Sequence, residues 1–128
     1  MKTLFLVAAL TLSFFCSSTA QTSIAALNKA MSDGDAVTIG GYFDQTVELT
    51  LLDKLNVLDK KAAITALNYF FVKNKPRAFN EVHQGASKGS ASHYSIGDLA
   101  TAPSTYRVYL YYKVVNEKPV IQEMRIEK

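Results

Sequence analysis

Pro76 divides this chain into two stretches with different hydrophobic periods, and that division constrains the fold more than any other feature. Ahead of it, Ala63, Ile64, Leu67, Phe70 and Phe71 fall at i, i+1, i+4, i+7 and i+8, the apolar stripe of a helix opened by Asp59. The proline ends that helix, because the residue before a proline disfavours helical geometry. Behind it, four runs alternate with period two: residues 77–87, 93–101, 105–115 and 119–127. Small and polar residues at 85–92, 102–104 and 116–118 supply the turns between them. Four consecutive strands behind a helix cannot make alternating parallel units. They make a meander.

The front of the chain supplies more helix. Ser23 is placed to cap a short helix with Ile24, Leu27 and Met31 at helical spacing, and Gly34 to end it. Asp35 then caps a second, with Ala36, Ile39, Gly40 and Phe43 on one face. Its glycine pair, Gly40-Gly41, costs roughly 1 kcal/mol per residue against alanine, and so implies close packing against something flat. From Thr46 the period becomes two, with Val47, Leu49 and Leu51 against Glu48, Thr50 and Leu52; Leu55, Val57 and Leu58 read as a short return segment. Helices at the front and a strand meander behind predict an α+β domain, N-terminal helices on one face of a mostly antiparallel sheet.

Residues 1–20 are expected to be a leader outside this domain. They carry Lys2, an uncharged apolar run over 4–15, and small residues in Ser18-Thr19-Ala20 ahead of a cleavage before Gln21. The apolar run is too short for a bilayer, which takes about 20 residues. Residues 21–128 contain no second such run, so the reading is a single soluble domain, exported to the periplasm or beyond, with no stable membrane insertion. The single cysteine, Cys16, falls inside the leader, and the bulky Ser13-Phe14-Phe15 before it is wrong for lipoprotein processing. The domain must then persist without disulfides or a thiol nucleophile.

Without Lys2, thirteen Lys and Arg face eleven Asp and Glu, spread along the chain. The one cluster, Lys73, Lys75 and Arg77, sits where cations complement a helix C-terminus. A nucleic-acid partner would want a clustered basic face, and none is expected. Standard catalytic and phosphate-binding motifs are absent. Asp33-Gly34-Asp35 fails as a calcium loop, since the fifth and sixth positions are Val37 and Thr38. His83 and His93, on successive strands, could meet across a hairpin beside Asp98 or Glu81. Zinc wants three or four ligands with supporting partners, so strand histidines are the plainer reading and no metal or cofactor is expected.

Tyrosine is the compositional oddity, with seven residues and no Trp in the chain. Alternation puts Tyr106, Val108, Leu110 and Tyr112 on the core face of one strand, and Arg107, Tyr109, Tyr111 and Lys113 on the other. The last strand offers Val120, Met124 and Ile126 to the core, against Ile121, Glu123, Arg125 and Glu127.

The order of elements carries a resemblance. Asp33-Gly34-Asp35-Ala36-Val37-Thr38-Ile39-Gly40-Gly41-Tyr42-Phe43 resembles the second-helix motif of the nuclear-transport-factor and ketosteroid-isomerase-like (cystatin-like) superfamily. Phe70-Phe71, Phe79, His83-Gln84-Gly85, Tyr94-Ser95-Ile96-Gly97 and Tyr106-Arg107-Val108-Tyr109 together look like a small secreted Bacteroidota family of unknown function. The resemblance implies a curved sheet wrapped around helices into a cone, whose wide end is left unfilled. Tyr42, Phe43, Phe79, His83, Tyr94 and Ile96 are then expected to line a pocket for a small apolar or amphipathic ligand or a partner segment. The expected role is non-catalytic binding. If the domain is an isomerase- or dehydratase-like acid–base enzyme instead, His83 and Asp98 are the groups to carry it, with Tyr42 and Tyr94 near. Arg107, Tyr109 and Tyr111 would serve as the interface of a homodimer, or of an interaction module, through the outer sheet face.

Overall fold

The computed structural model describes residues 19–87 and 91–128, with side chains from Ser23 onward. Two helices lead, α1 (Thr19–Asp33) and α2 (Ala36–Gly40), followed by a hairpin of β1 (Phe43–Leu51) and β2 (Lys54–Asp59). The long helix α3 (Lys60–Lys73) comes next, then the meander β3 (Pro76–Ala86), β4 (Ser92–Thr101), β5 (Thr105–Val115) and β6 (Lys118–Glu127). The strands form one six-stranded sheet in the order β2-β1-β6-β5-β4-β3. All neighbours are antiparallel except β1 and β6, which run parallel and join the front hairpin to the meander. The class is α+β, with the helices on one face.

Capping sets the helices much as the sequence implies. Asp35 accepts from the Thr38 amide at 3.1 Å, and Asp59 from the Ala62 amide at 2.7 Å, each closing an orphan donor of a first turn. Gly34 ends α1 with φ +67°, a conformation that suits glycine. Ser23 is not a cap, because α1 already runs through it from Thr19. Residues 1–18, with Cys16 and most of the expected leader, lie outside the described residues.

α2 is shorter than its apolar spacing suggests, and Phe43 begins β1 instead. Gly40 does pack closely, against a helix rather than anything flat: a Cβ there would sit inside the Ile64 side chain of α3. At the far end of α3, the Asn74 side chain donates to the Phe70 carbonyl and accepts the Tyr106 hydroxyl at 2.9 Å. That bond pins the helix terminus to β5, where the Phe70 and Tyr106 rings meet edge to face.

The core lies between the helices and the covered face of the sheet. Leu27, Met31, Ile39, Leu67, Leu99, Val108, Leu110, Met124 and Ile126 are all fully buried there. On β5 the alternation holds as read, with Tyr106, Val108, Leu110 and Tyr112 inward. On β6 it does not. Tyr111 pairs with Glu123 but Tyr112 pairs with Ile121, so Gln122 is an extra residue and the strand changes phase. Ile121 is therefore in the core and Val120 only half-buried, the reverse of the simple alternation.

Candidate functional site

The covered face is not apolar throughout. On β3, Phe79 points inward to the core, paired with Leu99, and Glu81 follows on the same face, paired with Gly97. Gly97 is bare of side chain for a reason: a Cβ would collide with the Phe79 ring. One pair further along β4, Ser95 is buried and its hydroxyl donates to the Glu81 carboxylate at 2.8 Å. From α1, the Asn28 amide reaches the same carboxylate oxygen at 3.5 Å. Ser32, one turn on, accepts the Phe79 amide at 3.0 Å and donates to the Asn28 carbonyl. A two-step ladder of side chains thus fixes α1 to β3 and holds the acid in place.

Glu81 opens onto a cavity of about 320 Å³ between the start of α1 and the sheet. That is the small end of the roughly 300–1,000 Å³ found for ligand pockets. Ile24, Val114 and Pro119 give it apolar walls; Asn28, Gln84, His93 and Tyr112 give it polar ones. His93 lies flat against Tyr112, with ring centroids 5.4 Å apart. Burial pushes the Tyr112 phenol above its ordinary value of 10.0, and the negative charge of Glu81 pushes the same way. The phenol stays a proton donor at neutral pH. The arrangement can grip a molecule with an apolar body and a cationic or hydrogen-bond-donating end.

The residues that the sequence nominates do not gather here. Phe43 is buried in the core, and Phe79 is half-buried against it. Tyr42 borders a separate hollow of about 640 Å³ beside Lys60 and Lys118. His83, Tyr94 and Ile96 lie on the open face, across the sheet from the helices: β3 bulges at Val82, so Glu81 opposes Gly97 but His83 opposes Ile96. His83 Nε2 meets the Tyr94 hydroxyl at 2.9 Å in an exposed pair. Asp98 also lies on the open face, 2.8 Å from Arg107. The two histidines therefore point to opposite faces, and no cluster of three metal-ligating side chains occurs among the described residues. Arg107, Tyr109 and Tyr111 are on the open face, where alternation puts them.

The sequence weighs Glu81 only as a metal ligand beside the histidines. Its signal is there nonetheless: it is two residues past Phe79 on a strand, which makes it an acid on a core face.

The domain model DUF4783, described as a domain of unknown function, matches residues 24–127. No curated protein matches the chain. Among solved structures, the chain is similar to a DUF4783 family protein from Bacteroides ovatus, with 33% identity, a TM-score of 0.75 and coverage of 81% of this chain and 93% of that one. A second DUF4783 family protein, from Bacteroides uniformis, is 31% identical with a TM-score of 0.74, over 81% of this chain and 94% of that one. The fold is shared with a protein designated Rd1NTF2_04 with long sheet, 14% identical with a TM-score of 0.64 over 84% of this chain and 98% of that one.

Proposed function

The chain belongs to the DUF4783 family, a family of unknown function with the nuclear-transport-factor-like fold, and on that footing we propose that it is an exported, non-catalytic binder of a small amphipathic molecule. The observation that carries the reading is the Glu81 carboxylate, held by Ser95 and Asn28 and turned to a cavity with apolar walls. One hydroxyl and one long amide contact leave acceptor capacity for a ligand. The leader-like residues 1–20 support export, and no helix among the described residues is long and apolar enough to cross a membrane. The pocket reading thus moves from His83 and Tyr94 to Glu81, Asn28, His93 and Tyr112.

Native mass spectrometry of protein purified from its producing cells' envelope tests this directly. The expected mass is that of a chain beginning at Gln21 plus a small organic molecule, absent from Glu81→Gln purified alike. A ligand-free wild-type protein would sink the binding proposal, and an uncleaved chain the export proposal.

An acid–base enzyme in the same cavity is the second reading. It is favoured by the neighbourhood of a carboxylate and a phenol held protonated, the pair needed to take a proton and steady the resulting oxyanion. Incubation separates the two: an enzyme converts the co-purified molecule and Glu81→Gln does not, whereas a binder returns it unchanged.

A further inference from the structure

The two edges of the sheet are built differently. Edge strands expose unpaired backbone groups, and proteins blunt them with prolines, charges and bulges. The β3 edge has all three: Pro76 and Arg77 at its start, Glu81 along it, and register breaks at Arg77 and Val82. The β2 edge has none of these along its middle. It pairs with β1 in unbroken register from Asp59 to Lys54, its charges sit only at the two ends, and Leu55 and Val57 stand 61% and 63% exposed.

The turn before it adds a second, independent oddity. Leu52 sits at φ +57°, a conformation that favours glycine or asparagine, and its apolar side chain is exposed. It shares a shallow hollow on the open face with Leu55, so the strained residue extends the same apolar strip.

We propose that two copies of this chain join edge to edge through β2, antiparallel about a two-fold axis, to make one continuous sheet. The strand's own sequence selects the register. Directly opposed residues of an antiparallel pair share a face, so the register can slide only by two. With Asn56 opposite its own copy, each Leu55 meets the partner's Val57, and both apolar pairs form on the open face. Sliding one way sets Leu55 against the partner's Asp59 and Lys54 against Lys60; sliding the other sets Val57 against Asp53. All three registers are two-fold symmetric, but only the first makes two apolar pairs and keeps both Leu55 and Val57 clear of charge; its cost, Asp53 opposite the partner's Asp59, falls at the two ends of the strand. The open tyrosine face is the rival surface for a second copy. Two of its cations are already paired within the chain, Arg107 with Asp98 and Arg125 with Glu127, so burying it would desolvate satisfied ion pairs and the exposed Lys113 with them.

Cysteine crosslinking with sedimentation tests the proposal, on the full chain in a Cys16→Ser background. Opposed Cα atoms at a two-fold lie within the reach of a disulfide, so Asn56→Cys is expected to be captured as a covalent dimer under mild oxidation. Tyr111→Cys should not be. The cysteine-free parent should shift from monomer to dimer between micromolar and near-millimolar concentration. Val57→Lys should stay monomeric with an unchanged melting temperature, and Leu55→Lys repeats the test should Val57→Lys not fold. A parent that stays monomeric with no crosslink at position 56 overturns the proposal. So does crosslinking of Tyr111→Cys in place of Asn56→Cys, or a dimer that survives the lysine.

Discussion

Four tyrosines stand on β5, two on each face, and the same residue does different work on the two sides. Tyr106 and Tyr112 are almost fully buried under the helices. The first ties its hydroxyl to Asn74; the second supports the stacked His93 and borders the cavity. On the open face Tyr109 lies under the Arg125 guanidinium, 5.5 Å from its ring centre, while Tyr111 is 45% exposed. Residue type is constant and strand is constant. What differs is the layer behind each face, so the covered face should be costly to alter and the open face cheap.

The largest expected effect lies in that layer. Phe70→Ala or Phe71→Ala should each cost about 3–5 kcal/mol in chemical denaturation, as for buried aromatics generally. Both rings are buried in the core, Phe70 against Tyr106 of the sheet, and they touch each other edge to face. A loss no greater than that of an open-face substitution would mean the helix is not what separates the two faces.

Tyr106→Phe should be milder, about 0.5–1.5 kcal/mol, because it keeps the ring and deletes one hydrogen bond. It leaves the Asn74 oxygen without that donor at the end of α3. Equal stability of the two proteins would show that the ring alone fastens the helix end.

Tyr112 sharpens the contrast through pH. Its folded phenol holds its proton more tightly than the unfolded one, through burial first and the Glu81 charge second. Stability from this group is complete below the ordinary tyrosine value of 10.0, and falls as pH rises from there through the higher folded value. Urea midpoints should decline across that alkaline window less steeply in Tyr112→Phe than in the parent. Identical slopes would remove Tyr112 from the buried, acid-flanked site assigned to it.

The smallest effect belongs to the open face. Tyr111→Ser should change monomer stability by no more than about 0.5 kcal/mol, the usual range for a surface position. A penalty rivalling Tyr106→Phe would mean that the open face is covered after all.

Most of the fold is legible in local chemistry. Asp35 and Asp59 announce their helices, Gly34 and Pro76 stop them, and β5 declares its faces because nothing interrupts its alternation. The candidate site is far less legible. The expected pocket takes Phe79 and His83 from this strand and passes over the Glu81 between them. The bulge at Val82 leaves Glu81 inside and turns His83 out. Likewise Gln122 exchanges Ile121 for Val120 in the core.

What the sequence determined by itself is the periods and their punctuation: helices, strands, caps, turns and the covered face of each unbroken run. Those follow from interactions within a few residues. The tertiary structure alone decided the parallel seating of β1 on β6, the bulges, and hence which acid faces the cavity. A bulge leaves no local mark in this sequence, since Val82 and Gln122 are ordinary strand residues. Its position is fixed by the strand pairing, with Glu81 opposite Gly97 but His83 opposite Ile96, and Tyr111 opposite Glu123 but Tyr112 opposite Ile121. That pairing belongs to partners that lie far apart along the chain.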